Sequence, residues 1–199
     1  MNARPKNLEA LLGSRICHDL ISPIGAIGNG LELMALTQAA DGPEMAMISE
    51  SVASAQARIR FYRVAYGANS ADQTLGRQEI VEILGSLYTG NRLKVTWGVD
   101  GDVPRDAAKL AFLLLQCLET ALPRGGAITV SGNGADWVLR AVSEKLRIDP
   151  DLWALLTGAE PVGEIAPSQI QFILAPLQIA DIGRRLSVAQ DDTSVTLRF

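Results

Sequence analysis

The chain has 199 residues, with 18 Lys and Arg against 22 Asp and Glu and a formal net charge of −4. Its 48% hydrophobic and 20% charged residues supply a packed core and exclude intrinsic disorder, and an acidic balance without a Lys/Arg-rich block offers no surface for nucleic acid. Two cysteines, Cys17 and Cys117, and one histidine, His18, fall short of both a closed four-ligand zinc site and a disulfide scaffold, so a reducing, cytoplasmic setting is expected.

Met1 to Asn7 is polar and lacks the apolar core of a leader. Leu110 to Leu118, the longest strongly apolar run, is far shorter than the roughly 18 residues of a membrane span, so no membrane partner is expected. Between Leu8 and Leu36 the one strong helix breaker is Pro23, and Leu20, Ile24, Ile27, Leu31 and Met34 recur at spacings of 4, 3, 4 and 3. That stripe, continued upstream by Ile16 and Leu12, predicts a long helix with a heptad-like seam. A turn over Thr37 to Pro43, carrying Asp41-Gly42-Pro43, leads to a second helix from about Glu44 to Tyr66. Here Ile48, Val52, Ala55, Ile59, Tyr62 and Tyr66 form the matching stripe. Two helices cannot cover two seams by themselves, so the hairpin is expected to pack on a second copy as a four-helix bundle, or else on the rest of its own chain.

Past a linker at Gly67 to Asp72 the pattern changes to alternating helix and strand. Helices are predicted near Gln78 to Tyr88, Arg105 to Leu122, Pro150 to Leu156 and Ser168 to Leu186. Strands are predicted at Leu93 to Val99, Ala127 to Ser131, Trp137 to Ser143, Ser187 to Ala189 and Ser194 to Arg198. Gly132-Asn133-Gly134 has the chemistry of a hairpin turn, and it and Gly125-Gly126 read as turns rather than phosphate cradles because neither opens a helix after a strand. The fold class is α+β: an N-terminal antiparallel hairpin, residues 1–69, followed by an α/β sandwich, residues 70–199.

His18 is the residue with chemistry to offer. At about 100° per residue it lies roughly 200° around the first helix from Ile16, opposite the seam. It shares that face with Ser14, Ser22, Gly25 and Asn29, flanked by Leu11 and Ile21. Small neighbours with an apolar rim suit the approach of another protein; a solvated histidine without a role is the alternative. Asp19 either accepts a hydrogen bond from the ring or is a plain surface charge. Arg15, one turn before His18, either steadies an anion there or is solvated. Arg58, Arg60 and Arg63 form a basic group on the second helix.

The segment Ser14-Arg15-Ile16-Cys17-His18-Asp19-Leu20-Ile21-Ser22-Pro23-Ile24 resembles the H-box of two-component histidine kinases, in which a His, an acidic residue, Leu, two variable residues, Pro and an aliphatic residue follow one another. Leu113 to Leu122, followed by Gly125 to Val130, looks like the kinase helix that carries the N-box and the strand after it. Where those kinases hold Mg²⁺-ATP with two asparagines, this chain has Gln116 and Thr120, and Glu144-Lys145-Leu146-Arg147 stands in place of the Asp-x-Gly motif. No Gly-rich lid follows. A dimeric H-box hairpin joined to a degenerate ATPase domain is similar to the alphaproteobacterial histidine phosphotransferases of the cell-cycle phosphorelay, the ChpT type.

That resemblance implies a phosphotransferase that is not an ATP-dependent kinase. It implies that His18 takes a phosphoryl group from the receiver aspartate of a hybrid histidine kinase and passes it to the aspartate of a response regulator, with Asp19 and Arg15 in support. It implies receiver docking over Leu11, Ser14, Ile21, Ser22, Gly25 and Asn29. No cofactor or metal of its own is implied, because the receiver brings Mg²⁺ and a Lys, and phosphoryl transfer asks mainly for positioning and charge neutralisation. A divergent active kinase and a non-catalytic dimeric adaptor for receiver domains are the alternatives. A Ser-His-Asp hydrolase is remote, since the side chains of His18 and Asp19 leave the helix about 100° apart.

Overall fold

The computed structural model describes residues 8–37, 42–68, 72–90, 92–133 and 136–199. Two helices, α1 (Leu8–Thr37) and α2 (Pro43–Ala65), lie side by side as the expected hairpin. Pro43 opens α2, where its missing N–H is no loss, and Glu44 sits at the positive end of the helix. Gly30 is buried at the crossing, where a Cβ would come within 2.5 Å of the Ile48 side chain, so the close approach of the two helices depends on glycine. Pro23 is buried within α1, which continues through it.

The second part contains α3 (Arg77–Tyr88), β2 (Leu93–Trp97), α4 (Arg105–Ala121), β4 (Gly126–Gly132), β5 (Trp137–Val142), α5 (Pro150–Ala154), α6 (Gln171–Asp181), β6 (Ser187–Gln190) and β7 (Ser194–Arg198). Two two-residue strands, β1 (Thr74–Leu75) and β3 (Val103–Pro104), pair as a separate ribbon. The main sheet has the order β2-β4-β5-β7-β6; β2 and β4 run parallel, joined through α4, and the other pairs are antiparallel. Register aligns Trp97, Val130, Leu139 and Leu197 in one row across the sheet and Val95, Ile128, Ala141 and Val195 in the next. Between them along β4, Ala127, Thr129 and Ser131 are exposed, so one face carries the helices and the other meets solvent.

The helix on that inner face is α4, whose whole run Leu110 to Leu118 is buried, Gln116 and Cys117 included. Phe112 of α4 sits 4.8 Å from Phe61 of α2 and 6.5 Å from Trp97 of β2, ring centre to ring centre. The last third of α2, with Phe61, Tyr62, Val64 and Ala65, therefore belongs to the same core as the sandwich. A fully buried Phe or Leu at such a place contributes on the order of 2 to 5 kcal/mol against Ala.

Three sequence expectations change in detail. The final helix is shorter than Ser168 to Leu186: a 3-10 turn at Pro167–Gln169 precedes α6, and Gly183 at φ +65° ends the segment. The strand begun at Leu93 stops at Trp97, and the ribbon of β1 and β3 had no signal in so short a stretch. The seam is divided between two surfaces. Tyr62 is buried, Ile16 and Tyr66 pack partly on the chain's own core, and Ile24, Leu31, Val52 and Ile59 remain exposed. Residues 38–41 of the first turn, 69–71 of the linker and Gly134 of the hairpin turn lie outside the described residues.

Candidate functional site

His18 projects from the middle of α1 with 86% of its side chain exposed. Ser14, Ser22, Gly25 and Asn29 are exposed on the same face, Ile21 is 67% exposed, and Leu11 is half-buried. A Cβ at Gly25 would meet nothing within 4 Å. The surface around the imidazole is therefore open, as its small residues predicted.

Beneath the ring lies Asp19, with 11% of its side chain exposed. Its Oδ1 is 3.1 Å from His18 Nδ1, and its Oδ2 accepts from Arg15 Nε at 2.7 Å and from the Tyr62 hydroxyl. Arg15 Nη1 donates to the Ser168 carbonyl at 3.0 Å, which ties α1 to the turn before α6. Burial opposes ionisation of Asp19, but hydrogen bonds from Tyr62 and His18 and the charges of Arg15 and Arg58 outweigh it and hold the carboxyl below its usual range. For Arg15 burial opposes the charge, and the Asp19 carboxylate together with Tyr66 and Tyr62 outweighs it. A carboxylate only accepts, so a neutral His18 bonded to it carries its proton on Nδ1 and keeps a lone pair on Nε2.

The α/β half closes the underside. A cavity of about 200 Å³ is lined by Arg15, Arg58, Tyr62, Tyr88, Gln116 and Glu119. An adjoining one of about 410 Å³ is lined by Gln116, Glu119, Thr120, Arg147, Asp149, Trp153 and Gln171. Gln116 Oε1 accepts from the Tyr66 hydroxyl at 2.9 Å, Thr120 Oγ1 donates to the Cys117 carbonyl at 2.7 Å, and Glu119 accepts from the Tyr88 hydroxyl. Burial raises the Glu119 carboxyl, against the pull of Tyr88, Arg15 and Arg58. Among the described residues no cluster of three metal-ligating side chains occurs, and no helix is long and apolar enough to cross a membrane.

The structure brings Arg15, His18 and Asp19 together and adds Tyr62, which sequence reasoning placed in the seam. The available signal was its hydroxyl: a phenol inside an otherwise apolar stripe requires a partner. The basic group on α2 does not form one patch, because Arg58 lines the inner cavity while Arg60 faces Glu82 at 3.5 Å.

Comparison with known proteins places the chain in a family. Residues 77–194 match the family model for the histidine phosphotransferase C-terminal domain. The protein phosphotransferase ChpT of Brucella abortus (strain 2308) is 35% identical over 188 residues, spanning 92% of this chain and 90% of that one. The solved structure of a bacterial phosphotransferase superposes with a TM-score of 0.83 at 30% identity, over 100% of this chain and 98% of that one. With the family model matched over more than half of the chain and a relative 35% identical over 92% of it, the chain belongs to the histidine phosphotransferase family.

Proposed function

We propose that His18 is the phosphoacceptor of a shuttle between receiver domains. The Nε2 lone pair attacks the phosphorus of an aspartyl phosphate on the receiver of a hybrid histidine kinase. The N–P bond forms as the P–O bond breaks, and the receiver carboxylate leaves as an anion without needing a proton. The ring, still protonated on Nδ1, becomes a phosphorylated imidazolium whose positive charge lies beside the Asp19 carboxylate. Arg15 supports Asp19 from the other side. Attack by a response-regulator aspartate then reverses these bond changes and returns the neutral ring. No ATP enters the cycle. The protein works as a homodimer in the cytoplasm, with Ile24, Leu31, Val52 and Ile59 meeting their counterparts in a four-helix bundle; exposures of 58%, 56%, 37% and 47% on one hairpin support that reading.

The observation that carries the proposal is the open imidazole whose Nδ1 lies 3.1 Å from the half-buried carboxylate of Asp19. Incubation with a receiver domain phosphorylated on aspartate should label the wild-type protein and leave His18→Gln unlabelled. Labelling of His18→Gln at the wild-type level overturns it.

A further inference from the structure

Asp19 follows His18 directly, and adjacent side chains on a helix diverge by about 100°. Contact between them persists only if something turns the carboxylate toward the ring. On this chain its Oδ2 is taken from the inner side by Arg15 Nε and the Tyr62 hydroxyl, which leaves Oδ1 facing His18 Nδ1. We infer that Tyr62 is a positioning residue for phosphotransfer: with Arg15 it clamps Asp19 so that the His18 proton stays on Nδ1 and Nε2 is the nucleophile. The inference rests on His18 being the phosphoacceptor.

Both donors are anchored away from the hairpin's open face. The Tyr62 ring stacks on Tyr66 at 5.1 Å and meets the edge of Phe61, itself packed on Phe112 of α4. Its phenol is pushed up by burial and by the Asp19 carboxylate, so it remains a donor across the working pH range. Arg15 is held by the Ser168 carbonyl of the turn before α6. The groups facing Asp19 are thus Arg15 and His18 of α1 and Arg58, Tyr62 and Tyr66 of α2, with Glu119 of α4 beyond them. Through these anchors the α/β sandwich supports the clamp from beneath the hairpin.

The single histidine makes the inference directly readable. Nitrogen-15 spectra of the full chain, uniformly labelled, report which ring nitrogen carries the proton without interference from another imidazole. Wild-type protein at mildly alkaline pH should show a protonated Nδ1. Tyr62→Phe, which removes one oxygen and keeps the ring, should move both nitrogen shifts toward those of a free imidazole and slow transfer about tenfold, the cost of one hydrogen bond to a charged group. Tyr66→Phe, which removes a hydroxyl bonded to Gln116 instead, should match wild type in both. If Tyr62→Phe folds poorly, Arg15→Gln removes the other donor and should shift the ring the same way. Wild-type nitrogen shifts in a folded Tyr62→Phe overturn the inference whatever the transfer rate. A tautomer shift in a chain whose wild type takes no phosphate supports the clamp and overturns the phosphoacceptor reading alone.

Discussion

An imidazole with 86% of its surface in water gains nothing from packing, so what it does is set by one contact below it and by the room above it. The contact is Asp19. The room comes from neighbours that lack bulk, and Gly25, two turns along from His18, is the sharpest case because nothing lies within 4 Å of where its Cβ would stand. If a receiver domain settles over Ser14, His18, Ser22 and Gly25, then Gly25→Leu should obstruct it and slow transfer by on the order of a hundredfold, since a displacement of about 1 Å at a reacting centre has that cost. The same change relieves a helix-interior glycine worth up to about 1 kcal/mol against Ala, so the melting temperature should stay level or rise. Initial transfer rates and thermal melts on the same preparation separate the two effects. Wild-type transfer by Gly25→Leu would move the docking surface elsewhere.

At the scale of elements, periodicity identified α1 and α2 because each carries a stripe long enough to outweigh local noise. It did not reveal how a stripe is divided between partners. Tyr62 and Val52 belong to the same seam in the sequence, yet one is buried against the chain's own sandwich and the other stays 37% exposed. That distinction depends on where Phe112 and the sheet sit, which is tertiary information. The open remainder has a consequence for assembly. Burying Ile24, Leu31, Val52 and Ile59 on two copies stabilises association by roughly 1.5 to 3 kcal/mol for each side chain fully covered. Ile59→Asp should therefore convert a sedimenting dimer to a monomer, and because Ile59 is 47% exposed on its own chain, the monomer should keep its circular dichroism. A wild-type chain sedimenting as a monomer at micromolar concentration would remove the bundle.

At the scale of the whole molecule, the α/β half engages within the chain the side chains at which the sequence resemblance would put Mg²⁺-ATP. Gln116 spends its carbonyl oxygen on Tyr66 and is 3% exposed, and the Thr120 hydroxyl bonds back to the Cys117 carbonyl one turn earlier. Glu119, between them, is held by Tyr88 and driven toward its neutral form by burial, which weakens it as a metal ligand. The lining on the far side, Arg147 to Trp153, offers Asp149, whose carboxylate already caps α5 by accepting from the Leu152 amide at 3.2 Å. The Gln116 carbonyl oxygen, the Thr120 hydroxyl and the Glu119 and Asp149 carboxylates thus each have a structural partner to give up before they could hold a metal or an adenine, while Gln171 Oε1 at the same cavity is buried without a partner. Calorimetry with Mg²⁺-ATP at millimolar ligand should show no saturable heat, and incubation with radiolabelled ATP should leave His18 unlabelled, whereas a receiver that carries the labelled phosphoryl group on its aspartate should label it. Saturable binding with a micromolar dissociation constant, together with labelling by ATP alone, would make the protein a kinase.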